Sequence, residues 1–130
     1  MIQFTVPGQP VSQNRCYQRA RQGRMFMTKE GKAWKAKVAL FAKVAMPDRV
    51  PLEGPVSVEM AFYFPTRRND LDGPIKPTLD ALQDGRVFLN DRQVVRLVVT
   101  KHLDPDNPRA EIAVCLALHE APTTCSDKSA

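Results

Sequence analysis

A nine-residue run of alternating apolar residues, VSVEMAFYF from Val56 to Phe64, places the strongest constraint on the fold. In a β-strand, successive side chains point to opposite faces, so every second residue lines the same face. One face is then wholly apolar: Val56, Val58, Met60, Phe62 and Phe64. Proline has no backbone N–H for a sheet ladder, so Pro65 ends the run. The sequence therefore predicts a half-buried strand from which the chain leaves the sheet at residue 65.

Six further segments, four strands and two helices, predict the rest of the fold. Strands are expected over Ile2–Val6, Val94–His102 and Ala110–Leu118, with a shorter one, GRVFLND, leading out of Gly85. A helix is predicted from the N-cap Thr28 to about Ala45, because Trp34, Val38, Phe41 and Ala45 recur at helical spacing while Lys35 and Lys43 fall on the outer face. A second helix covers roughly Pro74 to Gln83 and turns Leu79 and Leu82 to the core, and the stretch after Pro7 reads as a loop. This pattern predicts a single α+β domain over residues 1–118 with a mixed sheet, two main helices and a flexible tail at 119–130.

Charge is distributed unevenly along the 130 residues, whose net charge is +5. Residues 1–50 hold ten Lys and Arg against two acidic residues, a net +8, whereas residues 51–130 hold nine against twelve, a net −3. A basic half favours an anionic partner such as nucleic acid.

Three cysteines without a CxxC pair do not have the spacing of a structural zinc site, and no apolar run reaches the roughly 20 residues of a membrane-spanning helix. A soluble, reduced, cytoplasmic protein without membrane association is expected.

The acidic residues concentrate where the alternating strand ends, in RRNDLDGPIKPTLDAL from Arg67 to Leu82. Mg²⁺ takes oxygen ligands, commonly one or two carboxylates with substrate phosphates, so Asp70 and Asp72, pointing the same way in an extended segment, form a candidate half-site. Paired aspartates in loops are more often turn formers or helix caps. As a cap, however, Asp72 would lose one natural partner, because Pro74 has no N–H. Lys76 and Asp80 lie four residues apart, which fits either a site or a surface ion pair.

Basic residues surround this acidic stretch. Arg15, Arg19, Arg21 and Arg24 are interleaved with Tyr17 in the N-terminal loop, which indicates either a phosphate-binding surface or a solvated loop. Arg67 and Arg68 precede the aspartates and are candidates for phosphate contacts. Asp91, at the start of another predicted strand, is a third carboxylate that would converge with the first two, although a loop aspartate with Asn90 in a turn is the plainer explanation.

Together, DLDGPIKPTLDAL and the later LNDRQVV resemble the RusA family of Holliday-junction resolvases. That family shows an Asp-x-Asp-Asn-x-x-Lys stretch, an Asp-Ala-Leu on the following helix and an Asp-Asp-x-Gln-Val further on. The N-terminal PVSQNRCY and TKEGKAWK are similar to the family as well, so the resemblance covers roughly residues 1–115. It implies a RusA-like mixed α/β fold, magnesium with manganese as a substitute, a homodimer, symmetric cleavage of four-way DNA junctions and frequent prophage origin.

The resemblance also implies roles for individual residues. Asp70, Asp72 and Asp91 match the metal-binding catalytic carboxylates, and Lys76 matches the essential lysine. Asp80 and Asn90 take supporting roles, and Asn14 joins the arginines named above as a DNA contact. Two positions depart from the family pattern: Gly73 stands where Asn is usual, and Asn90 stands where the first of two adjacent aspartates is usual. Asn90 keeps an oxygen ligand but loses a charge, whereas Gly73 loses a side-chain hydrogen bond.

Two other functions fit parts of the sequence. The first is a branched-DNA-binding protein without cleavage activity, which Gly73 favours. Metal-dependent nicking of a four-way junction distinguishes a resolvase from such a protein. An Asp-x-Asp enzyme acting on a nucleotide or nucleotide-sugar has little room in 130 residues for such a pocket, and the chain has no glycine-rich phosphate loop.

Overall fold

The computed structural model describes residues 1–117, and these form a four-stranded mixed sheet with helices on one face. The strands are β1 (Ile2–Pro7), β4 (Val56–Phe64), β5 (Val94–Leu103) and β6 (Arg109–Leu116), in the order β1-β6-β4-β5. β6 is antiparallel to both β1 and β4, whereas β4 and β5 are parallel. The predicted α+β class with a mixed sheet is confirmed.

The centre of the molecule is β4, whose bounds are those that the alternation predicts. Its apolar face is at most 2% exposed and forms the core with β1, β6 and the helices. The opposite face carries Ser57, Glu59, Ala61 and Tyr63, of which Ser57 is buried and the other three are half-buried. The difference between the two faces follows from the two-residue period of the side chains, with the apolar face the more deeply buried.

Two helices cover the core face of the sheet. Helix α2 (Lys29–Ala45) begins at its N-cap Thr28, whose hydroxyl accepts from the Gly31 amide at 3.0 Å. Helix α3 (Ile75–Asp84) is joined to α2 by a buried hydrogen bond, in which Trp34 Nε1 donates to Thr78 Oγ1 at 3.2 Å. Because a buried indole N–H without a partner would destabilise the fold, this bond fixes the two helices relative to each other.

The segment after Pro7 is more regular than the loop that the sequence predicts. It contains a one-turn helix, α1 (Gln13–Cys16), followed by a hairpin of β2 (Tyr17–Arg19) and β3 (Met25–Met27). Helix α1 packs tightly on the start of α2, since a Cβ at Gly31 would lie 2.5 Å from Cys16 Sγ. Only glycine permits this approach, which sets the hairpin beside α3.

Two predictions about the helices and strands were wrong in detail. GRVFLND forms no strand: Phe88 makes an isolated bridge with Leu52, and Asp91–Gln93 forms a 3₁₀-helix. Lys35 does not lie on the solvent face of α2, because its side chain is only 13% exposed. Leu79 and Leu82 face the core as predicted: Leu82 is buried, and Leu79 is partly buried against the core. Leu118 and the predicted flexible tail at 119–130 lie outside the described residues. Within residues 1–117, no helix has the length and apolar character needed to cross a membrane.

Candidate active site and DNA-contacting surface

The aspartate pair follows β4 in a series of turns that leads into α3. The Gly73 amide donates to the Asp70 carbonyl at 3.3 Å, and the Ile75 amide donates to the Asp72 carbonyl at 3.2 Å. The extended segment expected for Asp70 and Asp72 is therefore wrong, because these bonds fold the backbone back on itself. Pro74 is the N-cap of α3 and no side chain caps it, so the helix-cap alternative for Asp72 does not apply.

Asp70 and Asp72 nevertheless line the same cleft, which has a volume of about 350 Å³. Its lining is almost entirely polar and includes Arg68 and Asn69 from the turn and Gln13 and Asn14 from α1. Asn69 Oδ1 lies 3.1 Å from the Thr66 hydroxyl, which donates to it. The cleft therefore combines carboxylates, carboxamides and a guanidinium at one solvent-exposed position.

Gly73 forms the floor of this cleft where α1 meets the turn. Its carbonyl accepts from the Gln13 amide at 2.8 Å, and a Cβ at residue 73 would lie 2.9 Å from Ser12 Cβ. Heavy atoms that close clash, so any larger residue at 73 requires α1 to move. The departure from the family's Asn at this position therefore accompanies a close approach of α1 to the aspartate turn.

Lys76, in the first turn of α3, lies between two carboxylates. Its Nζ is 2.9 Å from Asp80 Oδ1 and 3.7 Å from Asp91 Oδ2. The hydrogen bond and the charge of Asp80, supplemented by the charge of Asp91, raise the pKa of Lys76 above its ordinary value. The lysine is therefore a cation at neutral pH, and it brings Asp80 and Asp91 together although they come from different elements.

Asp91 is held beside Lys76 by a hydrogen bond to α3 and not by strand pairing in the sheet. Parallel pairing places the start of β5 beside the start of β4, whereas the aspartate turn leaves from the other end of β4. Nine strand residues separate those ends by roughly 26 Å at about 3.3 Å per residue. The Asp91 amide donates to Gln83 Oε1 of α3 at 3.1 Å, which fixes Asp91 beside that helix.

Asn90 has a structural role in the same segment. Its Oδ1 accepts from the Arg92 amide at 2.8 Å, while Gln93 Oε1 accepts from the Asn90 amide at 3.2 Å, which completes a capping box. The Gln93 carboxamide also donates to the carbonyls of Leu52 and Gly54 at 2.9 and 2.8 Å. The turn alternative for Asn90 is therefore close to what the structure shows.

Two residues that sequence reasoning did not assign to the site lie beside Asp80. The Tyr17 hydroxyl donates to Asp80 Oδ2 at 3.4 Å, and Lys35 forms an ion pair with Asp84 at 3.5 Å. Burial lowers the pKa of Lys35, but Tyr17 and Asp84 outweigh burial, and the net shift is upward. Burial also raises the pKa of the neighbouring Cys16 thiol. Tyr17 among the arginines was the only sequence signal for this cluster.

Five of the seven predicted DNA-contacting residues fall into two groups. Arg19, Arg21 and Arg24 are exposed on the β2-β3 hairpin, while Asn14 and Arg68 line the cleft. Arg15 is exposed but forms an ion pair with Glu30 at 2.9 Å. Arg67 is exposed, and its carbonyl accepts from Lys101 Nζ at 3.0 Å.

Nowhere in residues 1–117 do three or more His, Cys, Asp or Glu side chains form a group that could hold a metal ion. Asp70 and Asp72 share the cleft, and Asp91 instead contacts Lys76. Hard carboxylate oxygens in a polar, open cleft do suit Mg²⁺, which keeps several waters and commonly takes one or two protein carboxylates. The assignment of all three aspartates to metal binding stays a prediction.

Carboxylates that lie beside exposed basic residues suit action on nucleic-acid phosphodiesters. The family model described as endodeoxyribonuclease RusA matches residues 7–115. Crossover junction endodeoxyribonuclease RusA of Escherichia coli K12 is 37% identical over 112 residues, which cover 85% of this chain and 91% of that protein. The protein of that name from Enterobacteria phage 82 is 36% identical with the same coverage. An uncharacterized Bacillus subtilis protein, YqaN, is 31% identical over 137 residues.

The chain therefore belongs to the RusA family, which confirms the resemblance drawn from its motifs. The match at residues 7–115 includes the hairpin, the cleft, Lys76 and Asp91.

Proposed function

We propose that the protein is a magnesium-dependent endodeoxyribonuclease that resolves Holliday junctions by paired symmetric cuts in DNA recombination and repair. The observation that carries the proposal is membership of the RusA family over a stretch that contains every proposed site residue. The polar cleft with two carboxylates and the cationic Lys76 beside Asp91 support the same reaction. Such an enzyme acts on cellular DNA and therefore works in the cytoplasm.

Asp70, Asp72 and Asp91 would hold the metal, Mg²⁺ or Mn²⁺ in its place. When bound, the metal neutralises carboxylates that would otherwise repel phosphate, and it supplies a water activated for attack. The Lys76 ammonium stabilises the negative charge that develops on the phosphate oxygens. Asp80 orients Lys76, and Asn90 caps the turn that presents Asp91.

The basic residues hold the DNA. Arg68 and Arg67 neutralise phosphates next to the scissile bond, and the exposed hairpin arginines bind the duplex arms: Arg19, Arg21 and Arg24. Asn14 and Arg15 add contacts from α1. Because these groups contact backbone, they position a junction without reading its sequence.

A homodimer is part of this proposal, because paired cuts on strands related by a two-fold axis require two sites in the same relation. The edge strand β5 supports it. Its outer edge pairs with no strand of residues 1–117, and it exposes Val95 (63%), Leu97 (39%) and Val98 (36%). Long apolar edge strands are uncommon on monomers because they template pairing with another chain.

The test is cleavage of a four-way junction with each strand end-labelled in turn, in Mg²⁺ and in EDTA. The proposal expects metal-dependent nicks at symmetric positions on two opposing strands, with ligatable ends. Linear duplexes made from the same oligonucleotides are the control and should stay intact. Binding of the junction without any cut would instead identify a non-cleaving branched-DNA-binding protein.

A further inference from the structure

Tyr17 is the first residue of β2 and lies 63 positions before Asp80 in the chain, yet their side chains meet beside α3. The Tyr17 hydroxyl lies 3.4 Å from Asp80 Oδ2, and the contact is partly buried. Since α1 and the hairpin are packed against α2 through Cys16 and Gly31, the phenol approaches Asp80 from a fixed direction.

The direction of this hydrogen bond follows from the chemistry of the two groups. A carboxylate accepts hydrogen bonds and has no proton to donate, so the Tyr17 hydroxyl is the donor and Asp80 Oδ2 is the acceptor.

The two oxygens of Asp80 therefore serve different partners. Oδ2 accepts from Tyr17, whereas Oδ1 accepts from Lys76 at 2.9 Å. The terminal torsion of an aspartate is broad, so one partner alone leaves the carboxylate free to rotate. With a partner on each side, the oxygen that receives Lys76 has a defined position.

Lys76 needs this support more than a buried lysine would. Its side chain is 52% exposed, and a long exposed lysine samples many rotamers unless a partner holds it. Asp91, at 3.7 Å, is a looser contact than Asp80. The position of the ammonium thus depends chiefly on the orientation of Asp80.

We propose that Tyr17 is a positioning residue, which orients Asp80 and thereby fixes the Lys76 ammonium beside Asp91. Within residues 1–117 Tyr17 forms no hydrogen bond with Lys76 or Asp91, so its hydrogen bond to Asp80 is the contact through which it positions the ammonium. This inference rests on the proposed function, in which Lys76 acts on the reacting phosphate.

The experiment compares Tyr17→Phe, which removes only the hydroxyl, with Tyr63→Phe as the matched control. Tyr63 also donates to a partly buried carboxylate, Glu111 Oε1 at 3.5 Å, on the sheet. For both variants we would measure single-turnover cleavage of the junction in Mg²⁺, junction affinity in EDTA and melting temperature. The NMR signals of the two Lys76 Hε protons, assigned with Lys76→Arg, report whether the ammonium is held, independently of cleavage.

For Tyr17→Phe we expect cleavage to fall roughly threefold to tenfold, the range for loss of one hydrogen bond. Junction affinity in EDTA should not change, and the Lys76 Hε signals should move towards those of a freely rotating lysine. Tyr63→Phe should alter none of these, and Tyr17→Phe should add no further loss in an Asp80→Asn background.

Wild-type cleavage with wild-type Lys76 signals in Tyr17→Phe would overturn the inference, and so would an equal loss in Tyr63→Phe. A further loss in the Asp80→Asn background would show that Tyr17 does not act through Asp80. If the wild-type protein cleaves no junction, the proposed function fails, whereas the Lys76 signals still decide whether Tyr17 positions the lysine.

Discussion

The ammonium of Lys76 lies 2.9 Å from the carboxylate of Asp80, one turn further along the same helix. An exposed pair at this spacing ordinarily contributes under about 1 kcal/mol to stability. Here the same ammonium also faces Asp91 of another element, so the pair joins α3 to the 3₁₀-helix that precedes β5. This connection gives the pair a role in arranging the site beyond a surface ion pair.

Asp80→Asn should lower the single-turnover cleavage rate about tenfold, by the same factor at pH 7 and pH 9. Asp80 raises the pKa of Lys76, so its removal returns the pKa towards the ordinary value of about 10.4, which is still above pH 9. Lys76 is therefore charged at pH 7 and at pH 9 in both the native protein and Asp80→Asn. The stability that the ion pair contributes to the native protein is lost only when the pH rises through the raised pKa of Lys76 in the folded state. A loss that grew between pH 7 and pH 9 would mean that Asp80 acts by keeping Lys76 charged.

Asp106→Asn provides the control for this measurement. Asp106 is an exposed aspartate in the turn between β5 and β6. Its substitution removes the same charge and should leave the cleavage rate unchanged at both pH values.

Asp70→Asn, Asp72→Asn and Asp91→Asn should each reduce magnesium binding and cleavage by orders of magnitude, because each removes a charge from the metal site. Junction affinity in EDTA should be preserved or improve, since less negative charge opposes the phosphates. Melting temperatures should change little: no side chain caps α3, so Asp72 holds no helix end. Isothermal titration with Mg²⁺, filter binding in EDTA and cleavage assays on the same three proteins check this. Near wild-type cleavage by all three would refute the catalytic assignment.

Arg68→Ala should reduce the dependence of junction binding on salt more than Arg67→Ala does. Arg68 lines the aspartate cleft, whereas the backbone at Arg67 is bonded to Lys101. Each phosphate contact contributes about 0.9 to the slope of log affinity against log salt, so loss of one contact should lower the slope by roughly one. Lys43→Ala, which removes an exposed charge from α2, is the control. An unchanged slope in Arg68→Ala would make that arginine an ordinary solvated side chain.

Local sequence patterns predicted the elements whose structure is determined by residues close together in the chain. The alternation of β4 and the breaker Pro65 defined a strand to the residue, and Thr28 was recognised as a cap because its hydroxyl can accept a backbone N–H. The 3₁₀-helix had a signal that was overlooked. Asn90 and Gln93 stand three apart, the spacing of a capping box.

Long-range contacts were beyond such reasoning. The contact between Tyr17 and Asp80 joins residues 63 positions apart, and it exists only because α1 packs on α2 through Gly31. The carboxylates were identified through a family motif, whereas their distribution between a cleft and a lysine cluster required the turn after β4 and the path of α3. The prediction that the side chains of Asp70 and Asp72 point the same way depended on an extended backbone.

The native protein should be a homodimer of about twice 14.6 kDa, and Val95→Lys should weaken it. Val95 is 63% exposed on the edge strand β5, where an added lysine opposes pairing with a second chain. Val44→Lys is the matched control, because Val44 is a valine with 71% exposure on α2. Light scattering at micromolar concentration should report a smaller mass for Val95→Lys alone. A monomeric wild-type protein, both free and on DNA, would contradict the homodimer.

Gly73→Ala should destabilise the protein and slow cleavage, because the new methyl would lie 2.9 Å from Ser12 Cβ at the floor of the aspartate cleft. Forcing one extra carbon into a packed contact costs about 1–3 kcal/mol. Ser12→Gly removes the opposing carbon and, since glycine is nearly as good an N-cap as serine, should itself cost only a few tenths of a kcal/mol. The double variant should therefore recover both melting temperature and cleavage rate. If Ser12→Gly leaves the loss in Gly73→Ala unrepaired, the contact with α1 is not the reason that this chain has glycine there.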